Sequence, residues 1–146
     1  MSDVSVLSHE YKTTSELSQA INTNLIVLKK VVLGLPGAEK VNAAQFTASR
    51  YRLAEIVETL VNLLDLRRAK SLNATQATHV PGAFVERLRK ERYGDLAYYL
   101  QDLEQLARRL RTDPPQVTTT DFAVLDHLAA IADAETSGVF RQMMRR

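Results

Sequence analysis

Gln45–Leu72, QFTASRYRLAEIVETLVNLLDLRRAKSL, decides the fold. Leu53, Val57, Leu60 and Leu64 recur at helical spacing and share one face. Ile56, Val61 and Leu63 widen that face beyond a coiled-coil seam. Glu55, Glu58, Thr59, Asn62 and Asp65 supply a polar side. Asn42, with Gln45 three residues later, has the pattern of a capping box, in which each side chain satisfies a free backbone N–H of the other residue. Arg67, Arg68 and Lys70 stand near the far end, where cations favour the helix dipole. The stretch therefore reads as one long amphipathic helix ending in a basic cluster.

Working outward, the flanking segments carry the same periodicity. Thr13 with Glu16 caps a first helix whose apolar line is Leu17, Ile21, Leu25, Leu28, Val32 and Leu35. Ile26, Val27, Val31 and Leu33 make that helix apolar almost all round, as expected of a helix covered on more than one side. LIVLKKVVL is rich in β-branched residues, but strict alternation fails, so helix is the better reading. Gly34-Leu35-Pro36-Gly37 ends it. Residues 73–80 are small and polar and read as a linker. Pro81-Gly82 opens a third helix with Val85, Leu88, Leu96, Tyr99, Leu103, Leu106 and Leu110 on one side. Gly94 in its middle costs about 1 kcal/mol against alanine and marks a kink or a close approach. Asp113-Pro114-Pro115 stops it. Thr118 with Asp121 caps a fourth helix lined by Leu125, Leu128, Ala132, Val139 and Met143.

The predicted architecture is all-α: an up-down antiparallel four-helix bundle with a short N-terminal arm over residues 1–12. The helices fall at about 13–34, 43–71, 82–111 and 120–144, in a single domain spanning 1–146. A chain of 146 residues buries about 68–70% of its unfolded surface and needs no staples. It has no cysteine, which removes disulfides, thiolate metal sites and cysteine nucleophiles. The charge balance, 19 Lys and Arg against 17 Asp and Glu, is mild. No apolar run approaches the ~20 residues that span a bilayer, so no membrane partner is expected. The arm has no apolar signal core, and the expected location is the cytoplasm.

Four constellations bear on function. In an antiparallel bundle the end of helix 2 meets the start of helix 3 and the end of helix 4. That topology gathers Arg67, Arg68, Lys70, Arg87, Arg89, Lys90, Arg92, Arg141, Arg145 and Arg146 at one pole, ten of the 19 basic residues. Such a pole suits phosphate contacts, and it equally suits helix C-termini dressed with their usual cations. Its aromatic residues are sparse (Tyr93, Phe140), which argues against a dedicated base-stacking platform. Second, Arg92 and Glu135 each interrupt an apolar stripe; they form either a buried ion pair between helices or two edge residues reaching water. Third, His9, His79 and His127 lie far apart, with no HExxH or Glu-x-x-His spacing. No nucleophile elbow or phosphate loop is present either. Neither a cofactor nor a metal is expected. Fourth, helices 1 and 2 carry more large aliphatics than one buried face each requires, a surplus that marks a protein interface or a wide core.

In outline, a small basic four-helix bundle resembles the accessory variability proteins of diversity-generating retroelements and the helical small subunits of RNA-guided effector complexes. The resemblance implies a nucleoprotein accessory role; no residue motif carries it, so no site transfers. The leading expectation is a non-enzymatic subunit or adaptor that works through protein–protein assembly, with copies of itself or a larger partner. An accessory nucleic-acid binder using the basic pole is the alternative, and a small enzyme without a recognisable motif the third.

Overall fold

The computed structural model describes residues 11, 13–65 and 80–144, with side chains through residue 134. Among these residues all the regular structure is helical, with no strand. Helix α1 spans Thr14–Leu33, α2 Ala43–Leu64, α3 Gly82–Glu91, α4 Leu96–Arg111 and α5 Thr119–Met144, with a 3-10 turn at Ala38–Lys40.

Each capping signal makes its N-cap bond, and one makes the reciprocal bond as well. Thr13 Oγ1 accepts the Glu16 N–H at 3.1 Å, and Asn42 Oδ1 accepts the Gln45 N–H at 2.8 Å. Thr118 and Asp121 form the full reciprocal box: Thr118 Oγ1 accepts the Asp121 N–H at 3.3 Å while Asp121 Oδ2 accepts the Thr118 N–H at 3.0 Å. Gly34 closes α1 in the left-handed conformation, φ 63°, which glycine adopts without steric cost. LIVLKKVVL lies wholly within α1.

Two expectations change. The all-helical class stands, but the four-helix count does not, because the third predicted helix is two. Residues 92–95 break it into α3 and α4, so the described residues form five α-helices. Gly94 does not impose the break: its φ is not positive, and an added Cβ would meet nothing within 4 Å. Arg92 stands at the break itself, as the residue that ends α3. A charged side chain at a stripe position cannot be buried cheaply without a partner. The break leaves its guanidinium partly exposed, 3.5 Å from Asp95 Oδ2 and 4.4 Å over the Tyr99 ring. It also frees the two halves to choose different neighbours: α3 packs on α5 and α2, whereas α4 packs on α2.

Helix α2 is also shorter than read. It ends at Leu64, and Asp65 has an extended backbone (φ −81°, ψ 107°). The predicted extension to residue 71 and the linker 73–80 lie outside the described residues, apart from Asp65 and Val80. So does the N-terminal arm except Tyr11, which packs half-buried against the core.

The principal pairs are α1 with α5 and α2 with α4, bridged by the α1–α2 hairpin. Both principal pairs run antiparallel. Ser18, early in α1, donates to the Ala129 carbonyl in α5, and Arg50, early in α2, reaches the carbonyl of Leu110 at the end of α4. One continuous core joins all five helices, with Leu17, Leu28, Leu60, Phe84, Leu88, Leu106 and Leu125 among its members. Helix α2 has α1, α3 and α4 as neighbours, which accounts for its wide apolar face: Leu53, Ile56, Val57, Leu60, Val61 and Leu64 are all buried. Helix α1 is different. Ile26, Val32 and Leu33, with Leu35 just beyond, remain exposed.

Candidate functional site

Of the predicted basic pole, α3 supplies what the structure describes. Arg87 and Lys90 are exposed, on a helix whose Arg89 lies against the end of α2. Arg89 Nη2 donates to the Leu63 carbonyl at 2.8 Å, and its other terminal nitrogen pairs with Glu86. A cation at a helix C-terminus was expected from Arg67, Arg68 and Lys70; Arg89 supplies one from a neighbouring helix. Arg67, Arg68, Lys70, Arg145 and Arg146 lie outside the described residues. Arg141 lies in the helix backbone of α5 without a described side chain. The expected Arg92–Glu135 pair is in the same position on its acidic side; the described partners of Arg92 are Asp95 and Tyr99. His127 joins Glu91 across α5 and α3 at 2.5 Å.

A second polar arrangement lies where α2 meets the end of α4, and none of its residues belongs to the predicted pole. Arg50 is only 3% exposed and donates from Nη1 to the carbonyls of Leu110, at 2.9 Å, and Thr112, at 2.8 Å. It thereby satisfies carbonyls at the end of α4 that have no intrahelical donor. The Tyr51 ring contacts two guanidinium groups, 5.4 Å from that of Arg50 and 5.3 Å from that of Arg111. Arg111 grips Glu58 with two parallel bonds of 2.7 and 2.8 Å. Arg109 grips the buried carboxylate of Asp121 at 2.9 and 2.7 Å. These bonds, opposed by partial burial, raise both guanidinium pKa values, so the two arginines stay cationic. The signal was present as Arg108-Arg109-Leu110-Arg111 in the last turn of a helix, but only the tertiary structure supplies Glu58 and Asp121.

A groove of about 520 Å³ runs between α2 and α4, lined by Glu58, Val61, Asn62, Glu104, Ala107, Arg108, Arg111 and Thr112. Glu58 is engaged there by both bonds from Arg111. A second groove of about 350 Å³ lies between α1 and α2 under Tyr11, beside Arg52 and Glu16. Burial, reinforced by Glu55, raises the Tyr11 hydroxyl above its usual range, so it is neutral at physiological pH. Among the described residues no three His, Asp or Glu side chains are grouped to hold a metal ion, and no helix is long and apolar enough to cross a membrane.

Two exposed patches remain. One is aliphatic: Ile26, 53% exposed, and Leu33, 47% exposed, with Val32 and Leu35 at the end of α1. The other is aromatic: Tyr93, 89% exposed, stands in the α3–α4 break and Tyr98, 75% exposed, in the first turn of α4, both close in sequence to Arg87 and Lys90. No family model matches the chain, and no curated protein or solved structure matches it significantly, so the outline resemblances bring no residue assignment with them.

Proposed function

We propose that this chain is a non-enzymatic helical-bundle subunit that acts through protein–protein assembly. One observation carries the reading. The surplus aliphatics of α2 are absorbed by three helical neighbours, whereas those of α1 face solvent at Ile26, Val32, Leu33 and Leu35. Clustered exposed aliphatics of this kind mark interaction surfaces. The test is affinity capture of the full chain from its native host with RNA retained, comparing wild type with an I26K/L33K variant. Loss of a stoichiometric protein in the variant, with helicity unchanged, is expected. Equal capture by both chains overturns the reading.

A second reading has its own support: Tyr93 and Tyr98, with Arg87 and Lys90 nearby in sequence, combine stacking faces with phosphate-binding cations. It is an accessory nucleic-acid binder, extended by Arg67, Arg68 and Lys70. Binding to generic RNA or DNA should then fall steeply with added salt and weaken when those three residues are changed to Glu. No binding at ~50 mM salt removes it. The enzyme reading has no observation in its favour: neither groove sets a nucleophile beside a base among the described residues.

A further inference from the structure

The aliphatic patch lies on α1, which packs along α5. On α1, Ile26 and Leu33 are seven residues apart and form one outward ridge. On α5, Ala123 and Ala130 are likewise seven apart and exposed; Asp126 shares their face at helical spacing as Lys29 shares that of Ile26 and Leu33, and the Lys29–Asp126 pair sets the two faces side by side. The pair is 2.8 Å long, with Asp126 half exposed. Asp133, also exposed, extends the acidic side of this seam one heptad along α5.

Resting on the assembly reading above, the geometry points to a second copy of this chain as the occupant of the α1–α5 face, in a two-fold dimer. A two-fold axis running along the helices lays the bulky ridge of each copy over the alanine strip of the other. The same operation sets each Lys29 opposite an Asp126, so the two internal pairs join as a four-charge cluster. An isologous contact requires this self-complementarity in both shape and charge. A heterologous partner needs only one complementary surface and gives no reason for the chain to carry both. Size is compatible as well. Twenty residues of α1 are roughly 30 Å long, and two adjacent helices are roughly 20 Å wide. That is about 600 Å² per copy, within the range that specific interfaces bury.

Sedimentation equilibrium of the full chain at micromolar concentration tests this, with circular dichroism confirming that each variant folds. The wild type is expected as a dimer and I26K/L33K as a monomer. K29E gives two acids at the seam and D126K two bases, so each alone should be monomeric, and an equimolar mixture should recover a 1:1 dimer. A monomeric wild type, or a K29E/D126K mixture that fails to associate, overturns the proposal. A monomeric wild type that still captures a host protein through Ile26 and Leu33 overturns the second copy alone. A monomeric wild type whose capture is untouched by I26K/L33K overturns the assembly reading too.

Discussion

Tyr99 shows how one residue can be costly and still be kept. Its ring is buried against the core with the Arg92 guanidinium over one face. Its hydroxyl finds no hydrogen-bond partner among the described residues. Burial, only partly offset by Arg92, pushes its ionisation up from the usual 10 to about 12. The sign follows directly. Below pH ~10 the phenol is neutral in both folded and unfolded chains. Between about 10 and about 12 the unfolded chain ionises while the folded one does not, so stability falls as pH rises through that window. Tyr99→Phe should remove this contribution to the alkaline loss. It should also cost nothing at neutral pH, or stabilise slightly, because an unsatisfied buried polar group disappears. Urea unfolding at pH 7 and pH 11 checks both; a loss above about 1 kcal/mol at pH 7 would show that the hydroxyl has a partner. Arg50 is a mixed case: its Nη1 donates to two carbonyls that hold α2 to the end of α4, while its buried Nε has no hydrogen-bond partner among the described residues.

At the scale of elements, two glycines that look alike in sequence behave differently. Gly34 holds φ 63° at the end of α1, a conformation in which any Cβ is strained. Gly34→Ala should lower stability by about 1 kcal/mol although it touches nothing. Gly94, at the α3–α4 break, has an ordinary φ and open space around it. Gly94→Ala should therefore raise stability by about 0.4–1 kcal/mol through the unfolded chain, leaving the break in place. Thermal unfolding of both variants discriminates; a destabilised G94A would mean that the glycine itself makes the turn. The capping boxes are the elements most legible in advance, because their chemistry spans only three residues. The break was partly legible, since Gly94 and the interruption of the stripe at Arg92 both fall within residues 92–95.

At the scale of the whole molecule, α2 is the centre of a single core shared by all five helices. No helix has an apolar face that is complete without a neighbour. Unfolding in urea should accordingly be one cooperative transition, with far-ultraviolet dichroism and tyrosine fluorescence coinciding. Separate transitions would show that the α2–α4 pair unfolds independently of the α1–α5 pair. What the residue order determined alone was the helical class, the caps, the Gly34–Gly37 turn and most of the core lines, because periodicity and capping are local physics. Tertiary structure decided which surplus mattered. Val61 and Ile26 are both off-stripe aliphatics in sequence, yet Val61 is buried while Ile26 faces water. It likewise decided that Arg109 and Arg111 meet Asp121 and Glu58, residues 12 and 53 positions away. Contacts at that separation depend on how helices pack, which no short window of sequence encodes.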